Sequence, residues 1–221
     1  MNLVIREQPF VHSIVDNFLS KDDFDFLLEY VNSKPNLLNG NNHYTEVYRN
    51  ESQSELTKRL WKYFDIILNE IFDKVNVVDK QYDKDNIYRE IELYNWGNDS
   101  YRDIHVDEFE KIISSTFYIY PKEQIGTILY GHILPSLDED VDNLYQIEWK
   151  QNRAVFFSRK ERESWHSYKG DGISDRYALV YNLMTYNIKK VYKIEKKNYF
   201  YGHLVRQKLN PLLFKFFKKI I

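Results

Sequence analysis

The spacing of apolar residues changes once along the chain, near residue 86. Before that point it is mostly helical. After "FVHSIVDNFL", whose alternation fits a strand, "SKDDFDFLLEYVNSK" places Phe24, Leu27, Leu28 and Val31 on one helical stripe behind Ser20 and Asp23, a capping-box start. "SELTKRLWKYFDIILNEIFDKV" repeats the pattern with Leu56, Leu60, Phe64, Ile67 and Ile71 and predicts a second helix. Between the two, "NSKPNLLNGNNHYTE" concentrates Asn, Pro and Gly and reads as a loop.

From residue 86 the pattern becomes short runs rich in Tyr, Ile, Phe and Val: "NIYREIELYNW", "SSTFYIYP", "GTILYGHIL", "LYQIEW", "RAVFFS" and "RYALVYNLMTY". Strands in one block after two helices predict an α+β fold, a jelly-roll-type double sheet flanked by N-terminal helices. The expected layout is a helical support over 20–79, a sheet core over 86–186, and an extension over 187–221. The end, "YGHLVRQKLNPLLFKFFKKII", is basic and amphipathic, with Pro211 set to break or kink it. It reads as a C-terminal helix packed on the domain or on a partner, a homodimer among the arrangements, with a membrane-surface role as the alternative.

Composition narrows the function classes. With 221 residues, one core is expected, and 19 Tyr and 14 Phe supply large burial per residue. A net charge of -2 gives no basic footprint for nucleic acid. No segment approaches a membrane span, and no leader pattern opens the chain, so a cytoplasmic protein is expected. The absence of cysteine restricts any transition-metal site to His and carboxylate ligands.

Against that restriction, "DIHVDEFE" is informative. On a strand, residues two apart share a face, so His105 and Asp107 would present an imidazole and a carboxylate to one point. His166 follows in "RESWHSYKGDGISDRYALVYNLM", and Arg176 opens the next run ten residues later, so that a hairpin would bring them close. An arginine at the mouth of a β-lined pocket suits an anionic small molecule.

The series "LYNWGNDSYRDIHVDE", "STFYIYP", "GTILYG" and "NRAVFFSRKERESWHSYKGDGISDRYALVYNL" resembles the Fe(II)/2-oxoglutarate-dependent dioxygenases, in their prolyl 4-hydroxylase-like branch. The resemblance covers about residues 10 to 186. It implies a double-stranded β-helix (cupin-like) core and a facial triad of His105, Asp107 and His166 holding Fe(II), with Arg176 pairing the distal carboxylate of 2-oxoglutarate. It also implies that Tyr118 hydrogen-bonds that carboxylate and that Tyr94 borders the co-substrate pocket. The activity implied is hydroxylation of an unactivated C–H bond by O2, coupled to decarboxylation of 2-oxoglutarate to succinate and CO2, with ascorbate as a further cofactor. Peptidyl proline is the first substrate expected; a small molecule or glycan intermediate is the alternative, and a metal-binding jelly roll without turnover is the reading from another class.

The pattern departs from relatives after the basic residue, where Arg176-Tyr177-Ala178 lacks a serine two positions on, and at Gly126-Thr127, where a second glycine is usual. His12, His43, His132 and His203 have no partner spacing and read as structural or surface residues. "SLDEDVD" reads as a solvated loop and "RKERE" as a polar turn. Whether Glu108 and Phe109 touch a substrate is left open by the sequence.

Overall fold

The computed structural model describes residues 1–34, 43–75, 86–131, 144–161 and 163–200. Eleven strands among them, β1 (Asn2–Arg6), β2 (His12–Asp16), β3 (His43–Tyr48), β4 (Ile87–Trp96), β5 (Tyr101–His105), β6 (Lys111–Tyr120), β7 (Ile128–Tyr130), β8 (Leu144–Gln146), β9 (Arg153–Ser158), β10 (Trp165–Lys169) and β11 (Arg176–Thr185), form two sheets. The larger runs β1-β2-β9-β6-β11-β4-β3 and the smaller β5-β10-β7-β8. All strand pairs are antiparallel. From β4 to β11 the chain visits the large sheet at β4, β6, β9 and β11 and the small sheet at β5, β7, β8 and β10.

Strand alternation sorts residues between two environments. On β9, Ala154 and Phe156 join the main core, whereas Val155 and Phe157 join a smaller cluster with Phe10, Tyr118, Leu129, Ile147 and Trp149. Likewise Ile91 and Leu93 of β4 and Leu179, Tyr181 and Leu183 of β11 are in the main core, while Tyr94, Trp96, Ala178 and Val180 line a cavity. The large sheet therefore separates a helix-packed core from the chemistry.

Helix α1 (Lys21–Ser33) starts as expected, with the Ser20 side chain accepting from the Asp23 backbone N–H. Its face and the following helices bury Phe18 among Tyr63, Phe156 and Tyr181, with ring centroids 5.3, 5.3 and 5.6 Å away. Such pairs add about 0.5–1.5 kcal/mol each beyond their buried area. The second helix, predicted as one piece, is divided into α2 (Glu55–Trp61), α3 (Tyr63–Ile66), a π-helical turn (Ile67–Ile71) and α4 (Phe72–Val75). Past the widened turn, Ile71, Phe72 and Val75 are all buried.

The loop expected over 32–46 is partly a strand. Residues 43–48 form β3, the edge of the large sheet, in register with Trp96 through Ile91 of β4. The Asn-rich composition hid a run whose Thr45 and Val47 favour extended backbone. At the other end, α5 (Ile188–Ile194) packs Val191 and Tyr192 into the interior. The predicted helix over 201–221, with His203, and also His132 and the "SLDEDVD" loop lie outside the described residues. Among the described residues no helix is long and apolar enough to cross a membrane.

Candidate metal and anion site

A cavity of about 340 Å³ opens between the two sheets, and its wall includes His105, Asp107, Lys111, His166, Tyr168 and Arg176. His105 is the last residue of β5, and Asp107 lies beyond the strand end. The expectation that both sit on one strand face is thus corrected: the loop entering β6, not the pleat, turns the carboxylate back toward the imidazole. His166 is the second residue of β10 and stands directly opposite His105 in register. That pairing leaves the two imidazole centroids 4.3 Å apart.

One donor atom from each of His105, Asp107 and His166 lies within 4.8 Å of the others. His105 Nε2 is 4.0 Å from Asp107 Oδ1 and His166 Nε2 is 3.7 Å from Oδ2. The other ring nitrogens fix the orientation. His105 Nδ1 donates to the Asp103 carbonyl at 2.7 Å, and His166 Nδ1 to the Ser164 carbonyl at 3.0 Å. A carbonyl can only accept, so Nδ1 is the donor in each ring, and Nε2 is the atom turned toward the Asp107 carboxylate.

Burial and the neighbouring His166 push His105 down to about 4, so it is neutral at physiological pH. Burial alone would raise the Asp107 carboxyl, but the Lys111 ammonium, assisted by His166, outweighs it and holds the group well below the usual carboxylate range. Three ligand atoms that converge on one point can hold a cation, and two nitrogens with one carboxylate fit a non-haem iron class of ion. The carbonyl bonds to Nδ1 are the outer support that such ligands require.

Arg176, the first residue of β11, is 3% exposed, and among the described residues no carboxylate pairs with it. Its guanidinium carbon lies 3.6 Å from the Tyr168 ring centroid and 5.2 Å from that of Trp149, and its Nε has no hydrogen-bond partner. Burial lowers its pKa from the ordinary value, yet a guanidinium stays protonated at any pH a folded protein meets. An unpaired buried cation costs several kcal/mol unless an anion meets it.

The expected hairpin between His166 and Arg176 does not form. β10 belongs to the small sheet and β11 to the large one, so the intervening turn crosses between sheets and sets the two residues on opposing walls. Tyr94 lines the cavity, and its hydroxyl donates to Glu92. Tyr118 is fully buried behind the wall. Its hydroxyl accepts from the Thr127 N–H at 2.9 Å and donates to Thr127 Oγ1 at 3.0 Å, so Thr127, not Tyr118, reaches the cavity surface. Phe109 turns away to stack on Tyr192, with centroids 4.4 Å apart.

Several residues of the site were not anticipated. Trp96 and Tyr168 each lie two residues beyond a predicted site residue, Tyr94 and His166, and strand periodicity could have found them. Lys111, 3.4 Å from Asp107 Oδ1, carried no sequence signal. Nor did Arg159, read as part of a polar turn but 1% exposed. It donates to the Asp107 carbonyl at 3.1 Å and pairs with Glu195 at 2.8 Å.

No protein-family model and no curated protein matches the chain in sequence. Solved structures do match. The viral collagen prolyl hydroxylase of Paramecium Bursaria Chlorella virus-1, solved as a 2OG complex, superposes with a TM-score of 0.55 at 15% identity, over 79% of this chain and 96% of that one. The chain has the fold of the 2-oxoglutarate oxygenases. A prolyl hydroxylase from Trichoplax adhaerens, in complex with a hypoxia inducible factor peptide fragment, gives 0.56 at 15% identity over 80% of this chain and 85% of that one. The non-haem α-ketoglutarate-dependent epimerase SnoN of nogalamycin biosynthesis gives 0.55 at 12% identity, over 79% and 77%. Within the oxygenase fold, then, similar neighbours carry out both hydroxylation and epimerisation.

Proposed function

We propose that the protein is a non-haem Fe(II)- and 2-oxoglutarate-dependent dioxygenase that hydroxylates an unactivated C–H bond. Residues 1–186 form its catalytic domain and 187–221 an extension; the alternation of β4 to β11 between sheets is the strand order of a double-stranded β-helix. One observation carries the reading: a convergent His105–Asp107–His166 donor set and an unpaired buried guanidinium face the same cavity. A metal alone explains the first, and an anion alone the second. A keto-diacid that chelates the metal explains both.

In this reading His105, Asp107 and His166 would hold the iron, and Arg176 the distal carboxylate of 2-oxoglutarate. With iron and 2-oxoglutarate bound, O2 would be the oxidant, taking two electrons from 2-oxoglutarate, released as succinate and CO2, and two from the substrate C–H bond. The chain's own part is positional and electrostatic. Asp107 contributes the single negative charge among the three ligands, and Lys111 holds that carboxylate by Oδ1. Phe157, Ala178 and Val180 present apolar surface that keeps water from the reacting centre. The Trichoplax neighbour supports a prolyl peptide as substrate; a cavity of only about 340 Å³ supports a small molecule.

Iron-loaded protein is expected to convert 2-oxoglutarate slowly to succinate without any primary substrate, and His105→Ala or His166→Ala to abolish that conversion. Metal and 2-oxoglutarate binding without turnover would instead mark a non-catalytic binding module. If neither compound changes the melting temperature, the enzyme reading fails.

A further inference from the structure

We propose that the primary substrate is a small anion, its carboxylate or phosphate received by Arg102 at the cavity mouth while its body lies against the wall made by Tyr94 and Trp96. The inference rests on the dioxygenase reading of the same site and adds the substrate class. Arg102 lies on β5 three residues before His105, in register with Tyr168 of β10, and lines the cavity. Unlike the other cations lining the cavity, it is exposed, and it has no ion-pair or hydrogen-bond partner among the described residues. Lys111 is committed to Asp107, and Arg176, buried against the Tyr168 ring, is the group assigned to 2-oxoglutarate. Arg102 is the cation left to meet something entering from solvent.

Charge points the same way. A divalent ion beside Asp107, with a keto-diacid beside Lys111 and Arg176, leaves the loaded cavity with a net positive charge before Arg102 is counted. Glu92, behind Tyr94 and pushed up to about 7 by burial, offsets that only in part near neutral pH. A half-enclosed pocket focuses such a field and favours anionic ligands. The wall opposite is aromatic: Tyr94 and Trp96 stand two apart on β4 with centroids 5.5 Å apart and planes 24° from parallel. Thr45 of β3 is in register with Tyr94 and also lines the cavity, adding a small polar group. A guanidinium beside a flat apolar surface suits a compact molecule with one charged end.

The test is calorimetric titration of anaerobic protein loaded with Mn(II) and 2-oxoglutarate, using phenylacetate, phenyl phosphate and the neutral phenylacetamide as probes. At least one anion is expected to bind about tenfold or more tighter than the amide, and the stronger of the two separates a carboxylate from a phosphate site. That ratio is expected to collapse to within about threefold in Arg102→Gln and to return in Arg102→Lys. Trp96→Ala is expected to weaken all three probes while leaving the ratio in place. No charge preference in the wild type, a preference that survives in Arg102→Gln, or tighter binding of a neutral N-acetylprolyl amide than of either anion would each overturn the proposal. So would loss of 2-oxoglutarate loading in Arg102→Gln, which would make Arg102 a co-substrate anchor. If the wild type takes up neither Mn(II) nor 2-oxoglutarate, the dioxygenase reading falls first and this inference with it.

Discussion

Arg159 Nε donates to the backbone carbonyl of Asp107 at 3.1 Å, fastening the carboxylate-bearing loop to a buried guanidinium. The same guanidinium pairs with Glu161 and with Glu195 just past α5, and stacks over Phe109 at 4.0 Å. Position at the metal cluster is thereby linked to the docking of α5. Arg159→Lys keeps a charge but loses the planar fork, and Mn(II) affinity is expected to fall about 10- to 100-fold. Arg159→Ala takes the cation from Glu195, while Glu161 keeps Lys197, and is expected to destabilise by about 3 kcal/mol. Unchanged Mn(II) titration of the lysine variant would reduce the network to a structural brace.

Ligand binding to the native state alone raises the melting temperature. Co(II) or Mn(II) is therefore expected to stabilise the wild type, and to have no such effect on Asp107→Ala or His166→Ala. A metal-induced shift that persists in both variants would place the ion elsewhere.

Removing the Arg176 charge should act in opposite directions on the free and loaded protein. Arg176→Met replaces an unpaired buried cation by an apolar group of similar length, and the free protein is expected to gain about 1–4 kcal/mol. The same variant is expected to lose 2-oxoglutarate affinity by at least about 30-fold, the effect of removing one partner of a buried charge pair. Urea denaturation and calorimetry read the two separately. Lower stability of the free variant would mean that Arg176 already has a compensating partner.

Glu92 gives a pH signature. Burial, reinforced by Glu90, pushes its carboxyl up to about 7. The folded state therefore holds a proton that the unfolded state releases near the ordinary value of 4.5, and this contribution to stability, full below that value, is lost as pH rises through about 7. Glu92→Gln cannot ionise. Its stability relative to wild type is expected to climb between about pH 5 and 8 and then level off. A difference that stays flat across that range in urea unfolding would refute the shift.

How much of this was legible in the sequence follows from where each signal resides. Strand alternation and helical stripes are local, so α1, β9 and β11 could be read directly. His105, Asp107, His166 and Arg176 were legible through the resemblance that the H-x-D pair and the His and Arg ten residues apart carry, and the structure gathers all four around one cavity. Pairing between sheets is not local: the supposed hairpin from His166 to Arg176 is a crossing, and β3 gains its strand character from the edge of β4. Arg159 and Lys111 look like surface charges in sequence, because only the fold supplies the acidic partners that let them be buried.

The crossing from β10 to β11 has a further consequence. His166 hangs from one sheet and Arg176 from the other, and packed sheets keep a separation of roughly 10 Å. Under the proposed function the two ends of the co-substrate are read by opposite walls, so the fold itself acts as a ruler for chain length. A keto-diacid one methylene shorter or longer than 2-oxoglutarate would meet a gap set by the spacing of the sheets rather than by its own length.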